Sequence, residues 1–153
     1  MPQSLQNRLL ARVPLGDFQR IRSHMQLISL DYRKPLYEAN EAINSVYFLI
    51  EGVASLVNTM ADGSSAEVGT IGNEGIVGIP IILGDAVAPT TVYMQVPGEG
   101  FRLDASILAE VMDSRKATRT LMLSYIHTLG KSEYDGLLGP PEEQGTPHKL
   151  RAY

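Results

Sequence analysis

The chain reads as mainly β with flanking helices, an antiparallel β-roll of the double-stranded β-helix or jelly-roll type. Three observations predict this. Between Gln26 and Asp104 the apolar residues alternate or cluster in short blocks, as strands require. Turn residues separate those blocks at roughly regular spacing, and Ala61-Asp-Gly-Ser-Ser65 is the clearest hairpin signal among them. Helical spacing is confined to the two ends.

Residues 1–25 form the N-terminal helical segment. Leu5, Leu9 and Leu10 fit one helical face, Pro14 interrupts it, and Phe18, Ile21 and Met25 resume it, with Asp17 placed to cap the second piece. Residues 26–104 carry the roll. Leu27, Ser29 and Asp31 alternate with Ile28 and Leu30, and Leu36-Tyr-Glu offers a short strand before the turn at Glu38-Ala-Asn-Glu41. Val46-Tyr-Phe-Leu-Ile50 reads as a strand buried on both faces, separated by Gly52 from Val53-Ala-Ser-Leu-Val57. The hairpin leads into Ala66–Ile71. Thr90 to Val96 is rich in β-formers, and Pro97-Gly-Glu-Gly100 reads as a turn into Phe101-Arg-Leu103. Residues 105–129 return to helix, with Asp104 and Ser114 as expected caps. On the longer helix Leu121, Tyr125 and Leu129 recur every four residues, widened by Met122 and Ile126. That stripe suits either the chain's own body or a twin helix. Residues 130–153 are rich in Gly and Pro, show no apolar period, and read as disordered.

Composition narrows the function. At 153 residues with 44% hydrophobic content, the chain is long enough for one domain with a sizeable core. The formal net charge of −4 gives no overall basic footprint for nucleic acid. With no cysteine, disulfides, thiolate metal sites and cysteine nucleophiles are excluded. The N-terminus lacks the basic and apolar regions of a signal peptide, and no apolar run approaches the ~18 residues of a membrane span. A cytoplasmic protein without a membrane partner is expected.

The stretch from Gly69 to Gly84 holds five glycines in an otherwise nearly apolar run. Glycine permits close backbone approach, so the run is either a cradle for an anionic ligand or a structural corner. It contains neither a P-loop lysine nor the Gly-x-Gly-x-x-Gly spacing of a dinucleotide turn.

In order and spacing, Leu36-Tyr-Glu-Ala-Asn-Glu, Val46-Tyr-Phe-Leu-Ile-Glu-Gly-Val-Ala-Ser-Leu, Asp62-Gly-Ser-Ser-Ala-Glu-Val-Gly and Gly72-Asn-Glu-Gly-Ile-Val-Gly resemble the sensory domain of Crp/Fnr transcription regulators. The resemblance spans roughly Leu5 to Leu129 and implies a cyclic-nucleotide-binding-like roll of about eight strands. In members that bind cyclic nucleotides, a glutamate in a Gly-Glu-x-Gly turn holds the ribose, and an arginine before Ser or Thr holds the phosphate. The matching turn here is Gly75-Ile-Val-Gly78, so Ile76 stands at the glutamate position beside Val77, and Pro89 stands at or beside the arginine position before Thr90 and Thr91. Gly72 and Glu74 precede the turn, and Glu74 lies on the wrong side of Gly75 to replace the glutamate. No arginine occurs between Arg33 and Arg102. A buried phosphodiester would lose a charge-assisted contact of about 1.5–3 kcal/mol, so the cassette is degenerate and cyclic AMP is not expected to bind in the usual way. Another small effector or a pocket filled by side chains is expected instead, and no cofactor.

The resemblance also implies that Leu121, Tyr125 and Leu129 lie on a dimerisation helix, here short enough for only a weak homodimer. Family members continue into a DNA-reading head. The residues after Leu129 do not suit one, so direct DNA binding by this chain is not expected. The sequence fits a stand-alone sensor domain or a regulator whose frame was cut or shifted, and the abrupt loss of pattern at Gly130 favours the second.

Competing chemistry is weaker. A cupin-like metal-dependent enzyme on a β-roll needs clustered histidines, and His24, His127 and His148 are dispersed outside the strands. Ser64, Ser65 and Ser106 lack a nucleophile elbow. An enzyme is therefore not expected, and a stand-alone small-ligand-binding protein is the remaining alternative. Tyr37, Tyr47 and Phe48 read as sheet packing, while Glu67, Tyr93 and Arg102 are placed to reach the mouth of a pocket, Arg102 as its best remaining cation.

Overall fold

The computed structural model describes residues 6–129. A 3-10 turn at Leu10–Arg12 leads into α1 (Leu15–Arg22), then β1 (Gln26–Leu30), β2 (Pro35–Tyr37), β3 (Ser45–Thr59), β4 (Ser65–Ile71) and β5 (Ile76–Val77). There follow α2 (Ile79–Ile82), β6 (Thr91–Asp104), α3 (Ala105–Ser114) and α4 (Lys116–Thr128). The six strands form one antiparallel sheet in the order β1-β6-β3-β4, with β2 added to β6 and β5 to β3. This is the β-roll that the residue pattern predicts; of its four flanking helices, α2 is not among those expected.

The strand count differs from the expected eight because neither long strand is interrupted where glycine and proline suggested. β3 runs through Gly52, and β6 runs through Pro97-Gly-Glu-Gly100. The two bend together. Their register shifts between Leu49 and Glu51 and again between Glu51 and Val53. A Cβ on Gly98 would lie 2.1 Å from the Glu51 carbonyl oxygen, and one on Gly52 would lie 2.6 Å from that of Val96. These glycines let two backbones cross a corner in contact and keep pairing beyond it.

Three expected helix caps are also corrected, in whole or in part. Asp17 lies inside α1, whose N-cap is Pro14, and its carboxylate instead accepts from the Thr118 hydroxyl at 2.6 Å and pairs with Arg115 at 3.4 Å. Asp104 does occupy the N-cap of α3 as expected, but its side chain makes no cap bond. Ser114 closes α3 by donating to the Glu110 carbonyl, and α4 starts from Arg115. Thus Asp17 clamps α1 to the start of α4 rather than ending its own helix.

The core sits inside the roll and under α3 and α4, with Leu30, Phe48, Met94, Leu103, Leu108 and Met122 fully buried. The hairpin turns at Asp62-Gly63, where the Asp62 carboxylate accepts from both the amide and the hydroxyl of Ser64. Those bonds hold the Asp62 carboxyl below its ordinary value. Among the described residues, no helix is long and apolar enough to cross a membrane, and no cluster of His, Asp and Glu suits a metal. The tail from residue 130 and His148 lie outside the described residues.

Candidate functional site

The glycine-rich run links β4, β5 and α2, and it is held from three sides. β5 pairs on the roll, Val77 with Tyr47 and Ile76 with Phe48. From the N-terminal segment, the buried Asn7 donates through Nδ2 to the carbonyls of Leu49 and Gly75, both at 2.8 Å, and its Oδ1 accepts from the Leu10 amide. The Arg8 amide adds a 2.7 Å bond to the Asn73 carbonyl. From α4, the Tyr125 hydroxyl accepts from the Ile76 amide at 3.4 Å. A Cβ at residue 75 would lie 2.0 Å from that hydroxyl, so only glycine lets the helix seat its tyrosine here. Asn7 has no signature in the sequence, because a single buried amide carries no period.

Inside the roll, four of the expected site residues, Val77, Gly78, Pro89 and Thr90, border a cavity with almost no space. The cavity measures about 10 Å³, the threshold for a single water. Tyr37 and Leu56 line it as well. Ile76 is fully buried against the sheet. Thr90 is buried too, while the Thr91 hydroxyl accepts from the Ala39 amide at 3.2 Å. The Tyr37 hydroxyl is shared between the carbonyls of Ser45 (2.7 Å) and Val77 (3.0 Å). Burial, with a smaller contribution from neighbouring Tyr47, pushes its pKa well above the usual phenol value. Tyr47 is raised by burial as well, against the lowering effects of Arg102 and Ser45. The cavity wall carries no charged side chain.

The residues expected at the mouth are engaged elsewhere. Glu67 accepts from the buried Ser55 hydroxyl at 2.5 Å, Arg102 donates to Gln26, and Tyr93 lies 5.3 Å from the Arg33 guanidinium. Gly72 and Glu74 face outward, where both Glu74 carboxylate oxygens accept from the Gly72 amide at 3.0 Å. On α4, Tyr125 is buried against the chain's own glycine turn. Leu121 and Leu129 are half-buried on the same body, and Leu123 is 42% exposed.

Outside the roll, a larger groove of about 510 Å³ opens where the N-terminal segment, the glycine turn and α4 meet. Arg8 and Arg12 flank it on one side, Glu74 and Thr70 on a second, and Ser124 and Thr128 on a third. Nothing in the sequence pattern marks it, since its residues come from three separated segments.

Known proteins match this architecture. The family model of the cyclic nucleotide-binding domain matches residues 28–115. Among solved structures, the sensor domain of the transcriptional regulator DNR from Pseudomonas aeruginosa superposes with a TM-score of 0.67 at 16% identity, covering 82% of this chain and 85% of that one. The N-terminal domain of a transcriptional regulator from Streptomyces coelicolor A3(2) gives 0.62 at 18% identity, covering 81% and 87%. Against the longer DNR structure from Pseudomonas aeruginosa, the TM-score is 0.67 at 17% identity, and the match spans 82% of this chain but 56% of that one. No curated protein matches the sequence. At such identity these neighbours show a shared fold.

Proposed function

We propose, for a chain that belongs to the cyclic nucleotide-binding domain family, a regulatory sensor role in which cyclic AMP binding of the usual kind has been lost. The observation that carries this reading is the roll interior. Small-molecule sites generally enclose about 300–1,000 Å³, whereas the cavity at the cassette is about 10 Å³ with no cation on its wall. A phosphodiester there would be desolvated without a counter-charge, which is strongly unfavourable. In this reading the protein is not an enzyme, acts in the cytoplasm, and conveys its signal through α4. Its described residues do not contact DNA themselves, in keeping with the chain's formal net charge of −4.

The test is thermal stability with cyclic AMP and with cyclic GMP. No change in melting temperature is expected with either nucleotide. Saturable stabilisation by one of them at micromolar concentration would overturn the reading.

A further inference from the structure

We propose that the outer groove between the N-terminal segment, the glycine turn and α4 is a binding site for a small organic anion, a carboxylate or phosphate monoester with an apolar body. The binding claim is independent of the regulatory reading; only its use as a signal rests on that reading. Size is the first argument. At about 510 Å³ the groove falls within the range of small-molecule sites, which the roll interior does not.

Charge is the second. Arg8 and Arg12 both line the groove, and among the described residues neither guanidinium has an ion-pair partner. Elsewhere Arg20 pairs with Glu110 and Arg115 with Asp17, while Arg22 and Arg119 also stand without an ion-pair partner among the described residues but line no groove with a second arginine. The groove's carboxylate, Glu74, is turned onto the Gly72 amide. Two forked cations facing one committed carboxylate leave the groove net positive, which suits bidentate recognition of an oxyanion.

The remaining wall supplies the other half of the recognition. The Ser124 and Thr70 hydroxyls have no side-chain partner among the described residues and are available to accept or donate. Tyr125 and Leu129 offer apolar surface for a ligand body. The groove is also built on a fixed base. Asn7 ties the arginine-bearing segment to Leu49 and Gly75, and Tyr125 meets the Ile76 amide. An occupant would therefore touch the three elements that converge on the glycine turn.

The experiment is calorimetric and NMR titration of the full chain with phenyl phosphate and with benzoate, against inorganic phosphate and benzyl alcohol as half-ligands. Saturable binding of at least one aromatic anion is expected, with amide shifts at Ile76 and the end of α4. Each half-ligand should bind about tenfold more weakly or worse, because each lacks one of the two contact types. Arg8→Gln and Arg12→Gln should each weaken binding about five- to tenfold, and Glu74→Gln should tighten it by removing a like charge. Arg22→Gln, on the exposed end of α1, should leave binding unchanged. Unchanged melting temperatures of the arginine variants would show that the loss is one of binding. The proposal fails if neither aromatic anion saturates, if inorganic phosphate binds as well as phenyl phosphate, if the arginine variants bind normally, or if the shifts map elsewhere. Which aromatic anion binds better distinguishes a phosphate-bearing ligand from a carboxylate.

Discussion

Gly75 shows how far one missing methyl group reaches. Its Cβ position is occupied by the Tyr125 hydroxyl at 2.0 Å, so Gly75→Ala must displace either the turn or the buried Tyr125 ring. Destabilisation of about 1–3 kcal/mol is expected, as for other overpacked sites. Tyr125→Ala should be costly alone, yet Gly75→Ala should cost little in its presence. A double-mutant cycle from urea melts measures that coupling, and additive effects would refute the contact. Tyr37 gives a prediction in pH. Its phenol is raised by burial, so its contribution to stability is fully present below the unfolded tyrosine value of about 10 and is lost as pH rises through the folded value. Alkaline denaturation should therefore flatten in Tyr37→Phe, which should also lose about 1 kcal/mol at neutral pH with its hydrogen bonds to Ser45 and Val77. The glycines of the run were legible in the sequence as a corner or cradle. Their partners were not, because Tyr125 lies fifty residues away in sequence and nothing local to Gly75 names it.

Among the elements, strands and helices were legible wherever apolar period decides the outcome, as in β1, β4 and α4. Boundaries failed where Gly52 and the Pro97-Gly-Glu-Gly100 stretch were read as stops, whereas the Asp62-Gly63 turn stands as read. Gly52 and Gly98 break no strand, because each answers the other across the β3–β6 corner and the ladder resumes on both sides. Gly98→Val should therefore act on the whole roll rather than on a turn. A Cβ 2.1 Å from the Glu51 carbonyl forces the two strands apart, and a loss of about 3 kcal/mol or more is expected from strain and broken pairing. A Gly63→Val change would strain only the exposed hairpin, where a Cβ meets nothing within 4 Å. Comparison of the two melts checks the distinction. The short helix α2 was unpredicted, since Ile79-Pro-Ile-Ile82 is too brief for a period to show.

For the molecule as a whole, the resemblance read from the sequence placed the chain in its family, while the contents of the roll required the structure. That no arginine occurs between Arg33 and Arg102 was visible in one dimension. The small size of the cavity there depends on how Val77, Pro89 and Tyr37 converge. We propose that self-association, like cyclic AMP binding, is weak. Tyr125 is engaged with its own roll, which leaves half-buried Leu121 and Leu129 with exposed Leu123 for a twin helix. Sedimentation velocity at micromolar concentration should show monomer or a rapidly exchanging dimer, and a tight dimer would refute this. The topology has one further consequence, for synthesis. β6 is the common partner of β1, β2 and β3, yet it is the last strand to leave the ribosome. β1 and β2 have no other partner and must wait for it, with long loops to close, whereas β3 can already pair with β4 and β5 and lacks only its second edge. A chain ending at residue 90 should be fully protease-sensitive while the complete chain resists digestion, and a folded core in the shorter chain would contradict this order of assembly.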